Sequence, residues 1–222
     1  MNINIIYENN EFVIVEKPAG MPVQPDKTGD IDLLSELEKQ FGSVWLLHRL
    51  DRPVGGLMVF ALNEKTASGI SRQINNGTFK KKYYAVCCGV PKNNSGEMRN
   101  YLVKNQRLNI SSVSNRGNKN AKEAVLKYEL IGTAKHDKFG ELSLVDINLL
   151  TGRHHQVRVQ MSNAGIPLWG DVKYNPDFKR GYYDISPALY SYKVEFQNPL
   201  TGEKESYEKK PYSEPFNLFF TQ

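Results

Sequence analysis

The chain has 222 residues and a net charge of +5, with an isoelectric point near 9.0. It is long enough to bury a real core. At 40% hydrophobic and 24% charged residues it is too ordinary for a disordered chain, and its mild basicity favours a polyanionic partner. The first residues lack the basic region and long apolar core of a signal peptide, and apolar runs such as Val44 to Leu47 are far too short to span a bilayer. Cys87 and Cys88 are adjacent, which is neither a metal-ligand nor a redox spacing. They read as small strand hydrophobes on opposite faces, and the cytoplasm is the expected compartment.

Residues 11–15 predict a short apolar strand, closed by the turn-rich Lys17-Pro18-Ala19-Gly20-Met21-Pro22. Ile31, Leu34, Leu37 and Phe41 recur at helical spacing, with Asp30 or Asp32 as cap and Gly42 as stop. Residues 56–62 are strand-like, and Asn63 then caps a helix carrying Ala67, Ile70 and Ile74 that ends at Gly77. Residues 78–90, rich in lysine, tyrosine and valine, predict a strand. The polar, basic stretch 104–122 predicts an exposed loop or hairpin tip. Strands follow at 123–131 and 140–150. A helix over 154–164, stopped by Gly165, would bury Val157, Met161 and Ala164 and leave His154 and Arg158 one turn apart on another face. Asn198-Pro199-Leu200-Thr201-Gly202, between strands at 190–196 and 203–208, is a strong hairpin signal. Strands outnumber helices and short turns join many of them. The expected fold is therefore α+β on a mainly antiparallel mixed sheet, with residues 1–222 as a single domain.

Two stretches concentrate chemistry. His48-Arg49-Leu50-Asp51-Arg52-Pro53-Val54-Gly55-Gly56 sets a carboxylate between two arginines, then turns the backbone. Thr151-Gly152-Arg153-His154-His155-Gln156-Val157-Arg158 repeats that polar density later in the chain. A lone aspartate near proline and glycine usually caps a turn or makes a surface ion pair. Crowded by guanidiniums, Asp51 would stay ionised and serve as nucleophile or base near neutral pH. Arg49 and Arg52 fit a solvated surface as well as they fit phosphate contact or filling the gap left by an extruded base. Lys80, Lys81 and Lys82 suit the end of an edge strand. Beside Tyr83 and Tyr84 they equally suit single-stranded nucleic acid, although alternation lets only one of the two rings line a site. Adjacent histidines do not easily share one tetrahedral ion, so no metal site is expected. Gly55, Gly56 and Gly152 fit no dinucleotide or phosphate-loop pattern.

In order along the chain, Lys17-Pro18-Ala19-Gly20-Met21-Pro22-Val23, His48-Arg49-Leu50-Asp51 with Gly56, Lys81-Lys82-Tyr83-Tyr84-Ala85 with Gly89, Leu150 to Arg158, Pro167-Leu168-Trp169-Gly170-Asp171 with Tyr174, and Phe196 to Gly202 resemble the motifs of the RluA-type pseudouridine synthases. The resemblance implies a two-lobed catalytic domain with a central basic cleft, which isomerises a uridine of ribosomal or transfer RNA to pseudouridine. Asp51 would be the catalytic aspartate, and Tyr83 would lie against the base and take the ring proton. Arg158 would pair with Asp51, and Arg49 would enter the RNA helix as the uridine flips out. RNA contact is further expected from His48, Arg52, Lys80, Lys81, Lys82, Arg153, His155 and Gln156, and from the basic loop carrying Lys104, Arg107, Arg116, Lys119 and Lys122. An isomerisation requires no redox cofactor, metal or nucleotide. No membrane partner is expected, and the protein should be a monomer.

The chain departs from the family in two places. Val54-Gly55 stands where relatives usually have Thr-Ser, so two hydroxyls that could cap the turn or touch RNA are missing. The chain also opens shortly before the first motif, which predicts a catalytic domain without the separate amino-terminal RNA-binding domain of many relatives. Two other readings compete: an RNA-binding protein of the same fold that has lost catalysis, and a nucleoside or glycoside hydrolase, which would need a second carboxylate as acid.

Overall fold

The computed structural model describes residues 3–178 and 185–220. In chain order the elements are β1 (Asn4–Glu8), β2 (Phe12–Lys17), α1 (Leu33–Phe41), β3 (Trp45–Leu46), β4 (Gly55–Ala61), α2 (Glu64–Asn76), β5 (Lys80–Cys88), β6 (Ser95–Asn105), β7 (Ile110–Ser114), β8 (Lys122–His136), β9 (Gly140–Leu149), α3 (Gln156–Asn163), β10 (Leu189–Gln197) and β11 (Lys204–Glu208). They divide into two compact units, Met1–Lys82 with Tyr190–Lys210 and Tyr83–Leu189 with Pro211–Gln222. The expected α+β class with mainly antiparallel strands is borne out.

In the first unit the strand order is β1-β2-β4-β10, with β3 on β4 and β11 on β10. The β4–β10 pair is parallel, whereas β1–β2, β2–β4 and β10–β11 are antiparallel. Every residue of β4 is buried, which explains why it reads as a continuous apolar run rather than an alternating one. Phe12, Ile14, Leu57, Val59, Ile70, Phe79, Val194 and Phe196 form the core, and each such side chain contributes about 2 kcal/mol on burial. Helix α2 starts where Asn63 Oδ1 accepts the Thr66 amide at 2.9 Å and stops at Gly77 in the left-handed region, as expected. The Gln73 side chain then fixes it to β10, donating to Gln197 O at 2.6 Å and accepting from Gln197 N at 2.8 Å. Helix α1 is capped by Asp32, and its buried residues are Leu33 and Leu37. Ile31 precedes the cap and is exposed, so the expected apolar stripe is shifted.

In the second unit the order is β5-β9-β8-β6-β7, and β8–β9, β6–β8 and β6–β7 are antiparallel. The stretch 104–122, expected as loop or hairpin tip, holds a turn between β6 and β7 and also the strand β7, whose residues pair from Asn105↔Ile110 to Tyr101↔Ser114. Helix α3 is shorter than expected and buried on every side from Gln156 to Met161. Its polar residues must therefore find partners inside the protein.

Candidate active site

In the first unit Asp51 opens a turn closed by the Val54 amide donating to Asp51 O at 2.9 Å. The turn leads straight into β4 and leaves Asp51 half-buried. Val54 is buried, so a backbone bond and an apolar side chain close the turn without any side-chain hydroxyl at positions 54 and 55. The turn is fastened to residues 17–21 from both sides. Gly20 N donates to Arg52 O at 2.8 Å, and Arg52 Nε donates to Gly20 O at 2.9 Å. Lys17, which is 0% exposed, donates from Nζ to Met21 O at 2.8 Å, Pro18 O at 3.0 Å and Arg52 O at 3.0 Å. Burial draws this amine down to about 7, opposed by the charge of Asp51 and assisted by that of Arg52. A buried amine, charged below about pH 7, thus backs the Asp51 turn. The sequence alone gives Lys17 no role, because its carbonyl partners become visible only once the two turns are brought together.

The other residues expected in this unit fall into two groups. Arg49 is exposed. Arg52 is 41% exposed and its guanidinium is engaged by residues 26–30, with Thr28 Oγ1 accepting at 3.0 Å, Asp26 at 3.5 Å and Asp30 in close contact. Its position fits a tether for that loop. His48 is buried, accepts the Val59 amide at Nε2 at 3.2 Å and packs on Phe79. Burial and then Lys81 hold its pKa well below the usual histidine value, so it is a neutral core residue, not a surface group. Lys80 is exposed and donates to Gly77 O, whereas burial draws Lys81 down to about 8. Lys82 is half-buried.

In the second unit Tyr83 is buried in β5. Arg158, 2% exposed, makes a two-pronged ion pair with the wholly buried Asp171, from Nε at 2.7 Å and from a terminal nitrogen at 2.8 Å. The Tyr174 ring lies 5.2 Å from the guanidinium carbon. Such a bidentate pair fixes a guanidinium in plane and direction. Asp171 as the partner of Arg158 went unread in the sequence. His155 caps α3 with a left-handed backbone (φ 53°), stacks on His154 at 3.8 Å and pairs through Nδ1 with the Tyr174 hydroxyl at 2.7 Å. Burial, with the nearby Arg158 charge next, pushes it down to about 2, so it stays neutral. Gln156 is buried. Its Oε1 accepts from Thr151 Oγ1 and Arg153 N, and its Nε2 donates to Val125 O at 3.1 Å. Its amide closes the loop before α3 and is turned away from the surface. Arg153 is exposed and donates to Glu123 O. Among the described residues no group of three or more His, Cys, Asp or Glu could hold a metal ion, and no helix is long and apolar enough to cross a membrane.

Residues 11–163 match the family described as RNA pseudouridylate synthase, and this chain belongs to that family. The RluA-type resemblance read from its motifs is borne out, and the chain is an RNA pseudouridine synthase, an isomerase. An uncharacterised RNA pseudouridine synthase of Bacillus subtilis, YlyB, is 31% identical over 94% of this chain and 69% of its own length. The tRNA pseudouridine synthase C of Vibrio parahaemolyticus is 30% identical over 92% of this chain and 88% of its own. The ribosomal large subunit pseudouridine synthase C of the same organism is 29% identical over 90% and 62%. Human RNA Pseudouridylate Synthase Domain Containing 1 shares the fold, with a TM-score of 0.81 at 22% identity over 95% of this chain and 84% of its own.

Proposed function

We propose that this protein isomerises a uridine of a structured ribosomal or transfer RNA, with Asp51 as the reacting carboxylate. The observation that carries the assignment is the seat of Asp51, a half-buried carboxylate in a turn fastened from both sides and backed by the Lys17 ammonium. As the bond between C1′ and N1 of the uridine breaks, positive charge builds on the sugar, and a carboxylate there captures or stabilises it. The freed uracil turns to present C5, a bond from C5 to C1′ forms, the C5 proton leaves and N1 gains one, so the product is an isomer. Tyr83 is assigned to the base and its C5 proton, and Arg158 to keeping Asp51 ionised and oriented. Arg49 is assigned to entering the RNA helix as the uridine flips out, and Lys80 and Lys82 to the RNA backbone, together with the basic residues flanking β7. The choice of ribosomal or transfer RNA rests on the names of the relatives. The two units are read as one catalytic domain, acting as a monomer in the cytoplasm.

The test is Asp51→Asn, assayed by tritium release from bulk RNA carrying uridine labelled at C5, isolated from cells that lack this protein. Release should vanish while RNA binding is kept. Undiminished release would overturn the role of Asp51.

A further inference from the structure

In the second unit a run of contacts joins Arg158 to the turn between β6 and β7, and Tyr174 stands at its centre. Its ring faces the Arg158 guanidinium and packs on Leu102, Ala124 and Val159. Its hydroxyl accepts the Ser111 amide at 2.7 Å and pairs with His155 Nδ1 at 2.7 Å. Because the Ser111 amide supplies the proton for one of these bonds, the phenol proton is available to the neutral His155 ring. The backbone of Tyr174 is fixed as well. Its amide donates to Asp171 Oδ1 at 3.3 Å, and its carbonyl accepts Ser162 Oγ at 2.8 Å.

The turn it reaches is held at further points. His154 meets Ser111 Oγ at 2.8 Å through Nδ1 and Asn109 Oδ1 at 3.1 Å through Nε2, and Lys173 donates to Asn109 O at 2.8 Å. Asn109 itself is left-handed, with φ 48°, a conformation that costs energy unless its surroundings impose it. Between these clamps the tip presents Leu108, 57% exposed, beside Arg107, also exposed. An exposed apolar side chain next to a guanidinium, whose plane can stack on a base, suits an unpaired stretch of nucleic acid when both stand on a braced turn.

We propose that Tyr174 is a positioning residue with two separable duties. Its ring holds the Arg158 guanidinium for the reaction, and its hydroxyl latches the β6–β7 tip so that the tip can grip RNA. The proposal rests on the catalytic role given to Arg158 above. The ring covers one face of a guanidinium whose edge Asp171 already fixes, which stops it from swinging. The hydroxyl determines whether the tip is ordered before RNA arrives, which lowers the cost of binding.

The test compares Tyr174→Phe, which keeps the ring, with Tyr174→Leu, which loses both functions, using the same tritiated bulk RNA. Tyr174→Phe should raise KM about fivefold while kcat falls less than about threefold, and Tyr174→Leu should lower kcat about thirtyfold. Exchange of the Ser111 amide, read by mass spectrometry or NMR on the protein alone, should quicken about tenfold in Tyr174→Phe. Equal kcat losses in the two variants, kcat of Tyr174→Leu within about twofold of wild type, or unchanged Ser111 exchange in Tyr174→Phe would each overturn the proposal. If Tyr174→Leu fails to fold, the KM and the amide exchange of Tyr174→Phe decide it. Tritium release that survives Asp51→Asn would sink the catalytic reading, whatever Ser111 does. Release that depends on Asp51 but not on Tyr174 would sink the positioning role of Tyr174 and leave the catalytic reading standing.

Discussion

Lys17 Nζ donates to the carbonyl of Arg52 at 3.0 Å across 35 positions of sequence. With Pro18 and Met21 it gathers three carbonyls around one buried ammonium, and the Asp51 turn is the segment so held. Replacing Lys17 with methionine keeps the approximate length and removes the donors. All three carbonyls then lose this partner, although Arg52 O still accepts from Gly20 N. Lys17→Met should cost about 2 kcal/mol in urea unfolding and lower kcat more than it raises KM. A variant with wild-type stability and turnover would show that the cluster is ornamental.

The same lysine predicts a pH dependence. Burial lowers it from 10.5 to about 7, so the folded protein gives up this proton earlier than the unfolded chain does. Below about pH 7 both states carry it, and the cost of burying the charge is fully present. Between about 7 and 10.5 the unfolded chain binds more protons, so this group makes stability rise with pH. Lys81, drawn down by burial to about 8, acts in the same direction. The stability of the wild type relative to Lys17→Met should therefore grow between about pH 6.5 and 9.5, as read from paired urea titrations. A flat difference would refute the assignment.

Two neighbouring glycines should behave in opposite ways. Gly56 has φ +122°, and a Cβ placed there lies 2.4 Å from Ser191 O and 2.5 Å from Ser191 N, inside the parallel β4–β10 pairing. Gly56→Ala should cost at least about 3 kcal/mol and lower Tm by about 8 °C. At Gly55 the nearest atoms to a new Cβ stand at 3.4 Å. Gly55→Ser should stay within about 1 kcal/mol of wild type. Equal losses in the two variants, by calorimetry, would contradict this account of the turn.

Asp171 faces Arg158 where neither is wetted, and it also accepts the amides of Lys173 and Tyr174. Asp171→Asn would remove the bidentate counter-charge of a buried guanidinium, which costs about 3 kcal/mol. Turnover should collapse further than stability alone explains, because Arg158 would no longer be aimed. An Asp171→Asn protein of normal Tm would indicate that water or another group replaces the carboxylate.

Local chemistry made much of the fold readable. Asn63 and Gly77 bracket α2 because a side-chain cap and a left-handed stop act within a few residues, and Asn198 to Gly202 mark the β10–β11 hairpin for the same reason. The strands β1 and β6 escaped notice. Their burial patterns are largely exposed or half-exposed, so neither carries a strong apolar alternation. Ile31 matched a helical period that the Asp32 cap cuts off one residue later. Asp51, Tyr83 and Arg158 stand out in the sequence through their motifs, but Lys17 and Asp171 draw no attention, since burial of a charged group depends on partners brought in by the fold. His48 and Gln156 were expected at RNA for the mirror-image reason: a polar type looks available until its internal partners are seen.

The first unit is written in two pieces, and its core joins Phe12, Ile14, Leu57 and Val59 to Val194 and Phe196. On the ribosome those early strands must wait, with β4 lacking the neighbour that Tyr190 and Ser191 provide, until residues 190–210 have emerged. Nascent chains stalled before residue 190 should therefore be open to protease within their first eighty or so residues, whereas released chains resist it.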